Sequence, residues 1–180
     1  LLDEPLPCID GYGIGDLHTH SSYTSDQVEF GAPVPAIASA AKAMGHQFVA
    51  VTDHSYDLDD DPNNYLVNDP GLSKWHQYQR EVEEANQASD DFIIVPGEEV
   101  SCGNARGENV HFLALNHPDY FPGSGDSGEK WLETTPELTI SEIISQRQAQ
   151  TAFFAAHPCV PVPWLQQKLL RRGRWHLPDM

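Results

Sequence analysis

Nine histidines occur in the chain, and five of them stand at the edges of short apolar runs. His18 and His20 close Gly15-Asp-Leu-His-Thr-His20, two residues apart at the end of the first run. In an extended segment residues i and i+2 project to the same side, so both imidazoles can reach one ion. His54 ends Val51-Thr-Asp-His54, Glu99 lies in Pro96-Gly-Glu-Glu-Val-Ser101, and His157 ends Phe154-Ala-Ala-His157. His111 begins its run instead of ending it. Imidazole and carboxylate together suit Zn²⁺, Mn²⁺ or Fe²⁺, and a glutamate can bridge two ions with its two oxygens. Two ions roughly 3.5–4 Å apart lower the pKa of a shared water and clamp a phosphoryl or acyl oxygen. That chemistry hydrolyses a substrate without a serine or cysteine nucleophile.

A histidine taken singly is ordinarily a satisfied core or surface residue. Five at run edges, accompanied by a glutamate, reverse that expectation. His46, His76, His117 and His176 fall in loops or helical patterns and are read as structural. Cys102 and Cys159 could be soft ligands, but with no CxxC pairing they are read as small neighbours of the motifs, and together with Cys8 they are too few and scattered for a disulfide framework. Gly11-Tyr-Gly-Ile-Gly15 runs into a strand pattern, not a helix, and so is a poor phosphate loop.

The elements that must position these groups alternate. Apolar runs at 14–17, 48–51, 92–95, 110–115 and 152–156 have the length and β-branched or aromatic content of buried strands. Helical patterns lie between or after them. One covers 35–44, with Gly45 as its stop, and one covers 73–88, with Ser73 as the N-cap. A third, 139–150, opens with the capping-box spacing of Thr139 and Glu142, and a fourth, 164–172, follows Pro163 and stops at Gly173. This alternation predicts an α/β fold with a mostly parallel sheet or barrel, whose strand carboxyl ends form the functional rim. The link from Glu99 to His111 is too short for a helical crossover. A hairpin-like reversal there would place His111 beside Glu99. The acidic loop with Asp57, Asp59, Asp60 and Asp61 lacks the ligand alternation of an EF-hand and is read as a solvated turn.

The chain has 180 residues, 20.0 kDa and 10 Lys+Arg against 27 Asp+Glu, a net charge of −17. A field this negative repels polyanions, which excludes a nucleic-acid coat or an anionic membrane surface as partner. It leaves a phosphate substrate open where bound cations reverse the sign locally. Hydrophobic residues at 39% support a packed core, and no apolar stretch approaches the roughly 20 residues of a membrane helix. The expected partner is a small-molecule substrate. No targeting signal is visible, so the cytoplasm is the default compartment.

Five segments occur in a fixed order: DLHTHSSYTSD from Asp16, VTDHS from Val51, PGEEVS from Pro96, NVHFLAL from Asn109 and AAHP from Ala155. In this the chain resembles the polymerase and histidinol phosphatase (PHP) superfamily of metal-dependent hydrolases, which includes a carbaryl-hydrolase-like branch. The resemblance implies a distorted (β/α)₇ TIM-like barrel with two or three divalent metal ions, Zn, Mn or Fe, in a cleft at the carboxyl-end rim. It implies that His18 and His20 hold one ion, that Glu99 bridges two, and that His54, His111 and His157 complete the other positions. Asp26 matches a place where the family has Asp or His. Asp53 is expected to orient His54 through a hydrogen bond, with direct contact to the metal as the alternative. Arg106, the basic residue between the Glu99 and His111 motifs, is the candidate phosphate clamp, with a solvated loop arginine as the alternative.

The family's last motif, an Asp-x-His pair, is absent before Met180. The expectation is therefore an N-terminal extension over 1–14 and a PHP-like domain over 15–180, incomplete at its C-terminus. Three functions follow in order. The first is a metal-dependent phosphoesterase acting on a small phosphate ester. The second is a carbamate, amide or carboxylic-ester hydrolase on the same site, with aromatic walls from loops 56–65 and 120–131. The third is a non-catalytic module of a larger protein.

Overall fold

A computed structural model of the chain describes residue 6 and residues 9–25, 29–123, 125–127 and 134–176. The elements are β1 (Gly15–Thr19), α1 (Val34–Ala43), β2 (Phe48–His54), α2 (Ser55–Leu58), β3 (Asp60–Asp61), β4 (Asn64–Asn68), α3 (Ser73–Gln87), β5 (Ile93–Gly103), β6 (Asn109–Leu115), α4 (Ile140–Ser145), β7 (Ala152–Ala155) and α5 (Trp164–Leu169). One mixed sheet runs β1-β2-β5-β6-β7 and curls into a half barrel. The strands β1, β2 and β5 are parallel, whereas β5–β6 and β6–β7 are antiparallel. The mostly parallel expectation thus holds for one half of the sheet. The other half is antiparallel because 104–108 is a hairpin link, the reversal expected between Glu99 and His111.

Register fixes what faces inward. Asp53 pairs with Glu98 and His54 with Glu99 across β2–β5, while Ser101 pairs with His111 across β5–β6. Since alternate residues of a strand share a face, His54, Glu99, Ser101 and His111 lie on the inner one. Asp53 and Glu98 lie on the outer one. Behind the parallel half, Trp75, Tyr78 and Val82 of α3 pack with Val34 and Ala41 of α1 against Val49, Val51 and Ile94. The Tyr78 hydroxyl donates to Val51 O at 2.7 Å and accepts from Gly97 N at 2.9 Å, tying β2 to β5. Gly97 has no room for a side chain, since a Cβ would stand 2.8 Å from Leu115 Cδ2. Behind the antiparallel half, Val100, Cys102, Val110 and Phe112 pack against Ile140 and Ile143 of α4.

Helix ends follow local chemistry. Gly45, at φ +87°, stops α1, and Thr139 with Glu142 forms the capping box that starts α4. The stop of α4 comes at Ser145 instead of 150, because residues 146–150 offer no strongly apolar side chain and remain exposed. The N-cap of α3 is Leu72, with Ser73 one place inside and its N–H donating to Asp69. The acidic loop is not a solvated turn. It folds into α2 and the β3–β4 hairpin and buries Asp57, Asp59 and Asp60, with the Lys74 ammonium 3.1 Å from Asp60. Among the described residues, no helix is long and apolar enough to cross a membrane.

Candidate metal centre

Strand ends bring five imidazoles around one carboxylate. His18 and His20 arrive from the end of β1, His54 from the last position of β2 and His111 from the inner face of β6. His157 follows β7 in the left-handed region, at φ 31°, a costly conformation for a non-glycine residue that turns its ring back towards β5. The ring centroids run in a closed circuit: His18–His20 at 5.1 Å, His20–His54 at 4.6 Å, His54–His111 at 5.1 Å, His111–His157 at 5.3 Å and His157–His18 at 5.8 Å. Glu99 occupies the middle and is 1% exposed.

The two oxygens of Glu99 are shared out. Oε2 lies 3.3 Å from His18 Nε2, 3.0 Å from His20 Nε2 and 3.6 Å from His54 Nδ1. Oε1 lies 2.8 Å from His157 Nε2 and also contacts His111 Nδ1. Ligands about 2.1 Å from one ion stand about 3.0–3.4 Å from each other in octahedral or tetrahedral geometry. The spacings of His18 and His20 from Oε2 match that range. Among the described residues, three groups can hold a metal ion: His18, His20 and Glu99; His20, Glu29 and His54; and His54, Glu99 and His111.

Neighbouring groups aim the rings. His18 Nδ1 lies 2.7 Å from Thr52 Oγ1, whose hydroxyl points to Thr19 O at 3.4 Å. The threonine then accepts from the imidazole, which leaves a lone pair on Nε2 facing Glu99. His20 Nδ1 is held 3.1 Å from Thr24 Oγ1, which also accepts from His54 N–H at 3.3 Å. His111 Nε2 is 3.0 Å from Asp126 Oδ2, so a proton there leaves Nδ1 directed at Glu99. Asp126 is fixed in turn by Arg172 Nη1 at 2.7 Å and by the Ser101 hydroxyl. A carboxylate behind a histidine is a common means of orienting a metal ligand and raising its basicity.

Electrostatics sort the cluster. Desolvation lowers the pKa of His18 and of His54, keeping both neutral and able to ligate. Burial acts the same way on His20 and His111, but Glu99 outweighs it at both. His20 is raised, and His111, with help from Asp126, is pushed up to about 9. Burial would raise Glu99, yet His111, His157 and His20 hold it well below the usual carboxylate range. Asp126 is likewise brought down to about 2 by His111 and Arg172 against its burial. A proton held on His111 beside Glu99 sits where a divalent cation would displace it, so binding there is coupled to proton release.

The structure therefore unites His18, His20, His54, Glu99, His111 and His157. Asp26 lies outside the described residues. Asp53 does not reach the His54 ring, because consecutive strand residues face opposite ways. Its carboxylate instead accepts from Ser21 N at 2.7 Å, Ser21 Oγ at 2.6 Å and Thr24 N at 3.0 Å, bracing the turn that carries Thr24 behind His20. Arg106 is exposed and lines a separate cavity, so it is no clamp at the metal groups. The cation beside the cluster is Arg172, with Nη2 3.2 Å from His111 Nδ1. Cys102 belongs to the outer core, and Cys159 is exposed. Of the expected aromatic walls, Tyr56 stacks on His54 at 4.6 Å, whereas Tyr120 is committed to Trp75 and to Ser55 O.

Sequence reasoning missed three residues. Glu29 Oε2 lies 3.2 Å from His54 Nε2, and its carboxyl is drawn down to about 2 by that contact. It stands three places after Asp26, and no spacing rule separates the two. Asp126 sits in a stretch rich in Gly, Pro and Ser that carries no periodic signal. Arg172 falls within the helix expected over 164–172, but α5 ends at Leu169 and Arg171 turns left-handed at φ 49°, which sends Arg172 inward. No protein-family model matches the chain, and no curated protein matches it.

Proposed function

We propose that the chain is a metal-dependent hydrolase whose substrates are small phosphate esters. The observation that carries this reading is the division of Glu99, with His18, His20 and His54 at Oε2 and His111 and His157 at Oε1. A buried carboxylate with a separate imidazole set at each oxygen suits two bridged ions, and the His20, Glu29 and His54 group offers room for a third. The donor set fits Zn²⁺, Mn²⁺ or Fe²⁺. Bound there, such ions supply a water of low pKa and a positive clamp for a phosphoryl oxygen. The chain's own part is to present imidazole lone pairs already aimed by Thr52, Thr24 and Asp126. Arg172 adds a permanent cation to the wall of a cavity of about 250 Å³ that also contains His111 and His157.

The five ordered motifs that resemble the PHP superfamily support the same reading. The parallel β1-β2-β5 unit with α1 and α3 behind it is compatible with the opening half of a distorted (β/α)₇ barrel. One observation favours the carbamate or ester reading: Val160, Pro161, Val162 and Trp175 give the same cavity an apolar side. The test is turnover by the metal-reconstituted chain of p-nitrophenyl phosphate beside an aryl N-methylcarbamate. Release from the phosphate ester, abolished by chelation and restored by Mn²⁺ or Zn²⁺, is expected. Hydrolysis of the carbamate alone, or of neither, overturns the phosphoesterase reading.

A further inference from the structure

Half of the chain's cations gather at one place. Arg106, Lys168, Arg171, Arg172 and Arg174, five of the ten Lys and Arg residues, line a cavity of about 410 Å³. Glu108 is its one acidic lining residue, and its carboxylate is already engaged by Asn104 Nδ2 at 3.0 Å. In a chain of net charge −17 this concentration is the reverse of the average field. Four of the five side chains are exposed, so water screens their mutual repulsion, and an anion bound among them would relieve what remains. Among the described residues, no carboxylate stands within ion-pair distance of Arg106, Lys168 or Arg174.

The cluster is held in shape. Asn109, fully buried at the start of β6, gives its Nδ2 protons to Leu170 O at 2.9 Å, Thr134 O at 2.7 Å and Gly125 O at 3.1 Å. Its backbone N–H donates to Arg171 O, and its carbonyl accepts from Gly173 N. Asn104 Nδ2 holds Arg174 O at 3.0 Å, and Arg171 Nη2 reaches Gly107 O at 3.1 Å. Residues 170–174 thus form a strap bonded to the β5–β6 hairpin at several points. At Gly173 the contact is so close that a Cβ would stand 2.4 Å from Glu108 Cβ. Arg172, Gly173 and Arg174 are common to this cavity and to the one that contains His111 and His157. The strap is therefore the shared wall between the metal groups and the basic cavity.

We propose that this basic cavity is a second anion subsite, which takes a phosphate group remote from the one at the Glu99 cluster. It deepens the phosphoesterase reading and rests on it for the word substrate: the favoured esters carry a second phosphate beyond the scissile one. Guanidinium forks match phosphate oxygens geometrically, and with Arg172 already paired to Asp126 a dianion in this cavity meets four further cations. Confinement of the charge to one cavity, on a chain otherwise this acidic, fits a small ligand and not a nucleic-acid strand.

Calorimetric titration of inorganic pyrophosphate into the metal-loaded 180-residue chain tests this. The triple variant R106Q/K168Q/R174Q alters exposed side chains only, so its melting temperature and metal content should match the wild type. Its affinity for pyrophosphate should fall about tenfold or more. His18→Ala, which strips a metal ligand, should retain pyrophosphate affinity within about threefold. Unchanged binding by the triple variant overturns the subsite, as does an absence of binding by the wild type or loss of binding in His18→Ala. If no phosphate ester is turned over while pyrophosphate binding still follows the three cations, the hydrolase reading falls and the subsite stands. If phosphate esters are turned over while pyrophosphate binding is indifferent to the three cations, the subsite falls and the hydrolase reading stands.

Discussion

The two faces of β5 carry the same side chain in adjacent positions and give it opposite chemistry. Glu98 and Glu99 are each 1% exposed. On the inner face Glu99 meets five imidazoles and is held as a carboxylate well below its ordinary pKa. On the outer face Glu98 accepts from the Ser55 hydroxyl at 2.9 Å and Phe121 N–H at 3.0 Å, and burial, with help from the Asp59 carboxylate, pushes it up to about 8. Desolvation is the largest influence on both. What differs is whether cations or protonatable rings stand close enough to overcome it. One acid is thereby shaped to hold positive charge, and its neighbour to be a neutral hydrogen-bonding member of the core.

The strongest way to break this contrast is to remove the charge from the inner face alone. Glu99→Gln keeps the shape but loses the central negative charge, and metal content measured by plasma mass spectrometry should drop. The proposed phosphate-ester hydrolysis should fall on the order of 10³-fold. If metal content and turnover survive, Glu99 is a structural acid like its neighbour. Next in size is Asp126→Asn. It leaves every ligand in place but weakens the group that aims His111, so metal affinity should fall roughly 10–100-fold. A competition titration against a chelator measures it, and an unchanged constant would mean that Asp126 only packs beneath the cluster.

How far the contrast is legible in the sequence depends on the face. The inner face is legible because strand periodicity and histidine chemistry both mark it: His18 and His20 two apart, and His111 recovered from the short link after Glu99. The outer face is not. Nothing in Pro96-Gly-Glu-Glu-Val-Ser101 says which glutamate points inward; that depends on the motif resemblance and becomes physical only with the β2–β5 register. The expectation for Asp53 fails for the same reason, since adjacency to His54 in sequence means opposition in a strand. Asp126 and Arg172 reach His111 across loops whose path is set by tertiary contacts, such as those made by Asn109, and not by any local pattern. Buried Asp57, Asp59 and Asp60 show the limit from the other side, because an acidic run carries no signal of burial when its compensation comes from distant groups such as Lys74.

On the outer face, Glu98→Ala should leave metal content intact and cost stability. The Phe121 N–H and the Ser55 hydroxyl lose a buried partner, a penalty of about 1–3 kcal/mol by denaturant titration. Loss of metal from this variant would show that the two faces are not independent.

The smallest effect sharpens the comparison most. Below about pH 8 the Glu98 carboxyl is mostly protonated, so Glu98→Gln replaces one neutral group by another of the same shape. Its carbonyl can still accept from Phe121 N–H. Its amide can donate to Ser55 Oγ, whose own proton has Glu99 O 3.4 Å away as an alternative acceptor. Below about pH 4 the two proteins should be nearly equal in stability. In the unfolded wild type the glutamate ionises near its ordinary value of about 4.3, whereas the folded protein keeps the proton until about 8. The stability held by the protonated acid is complete below the unfolded pKa and is lost as pH rises through the folded one. The wild type should therefore weaken relative to Glu98→Gln between pH 5 and 8, by at most about 1.4 kcal/mol per pH unit. The difference between the two denaturation profiles isolates this residue, because the inner-face titrations are common to both. Parallel profiles would mean that Glu98 is ionised in the fold, and the two faces of β5 would then differ in geometry but not in charge.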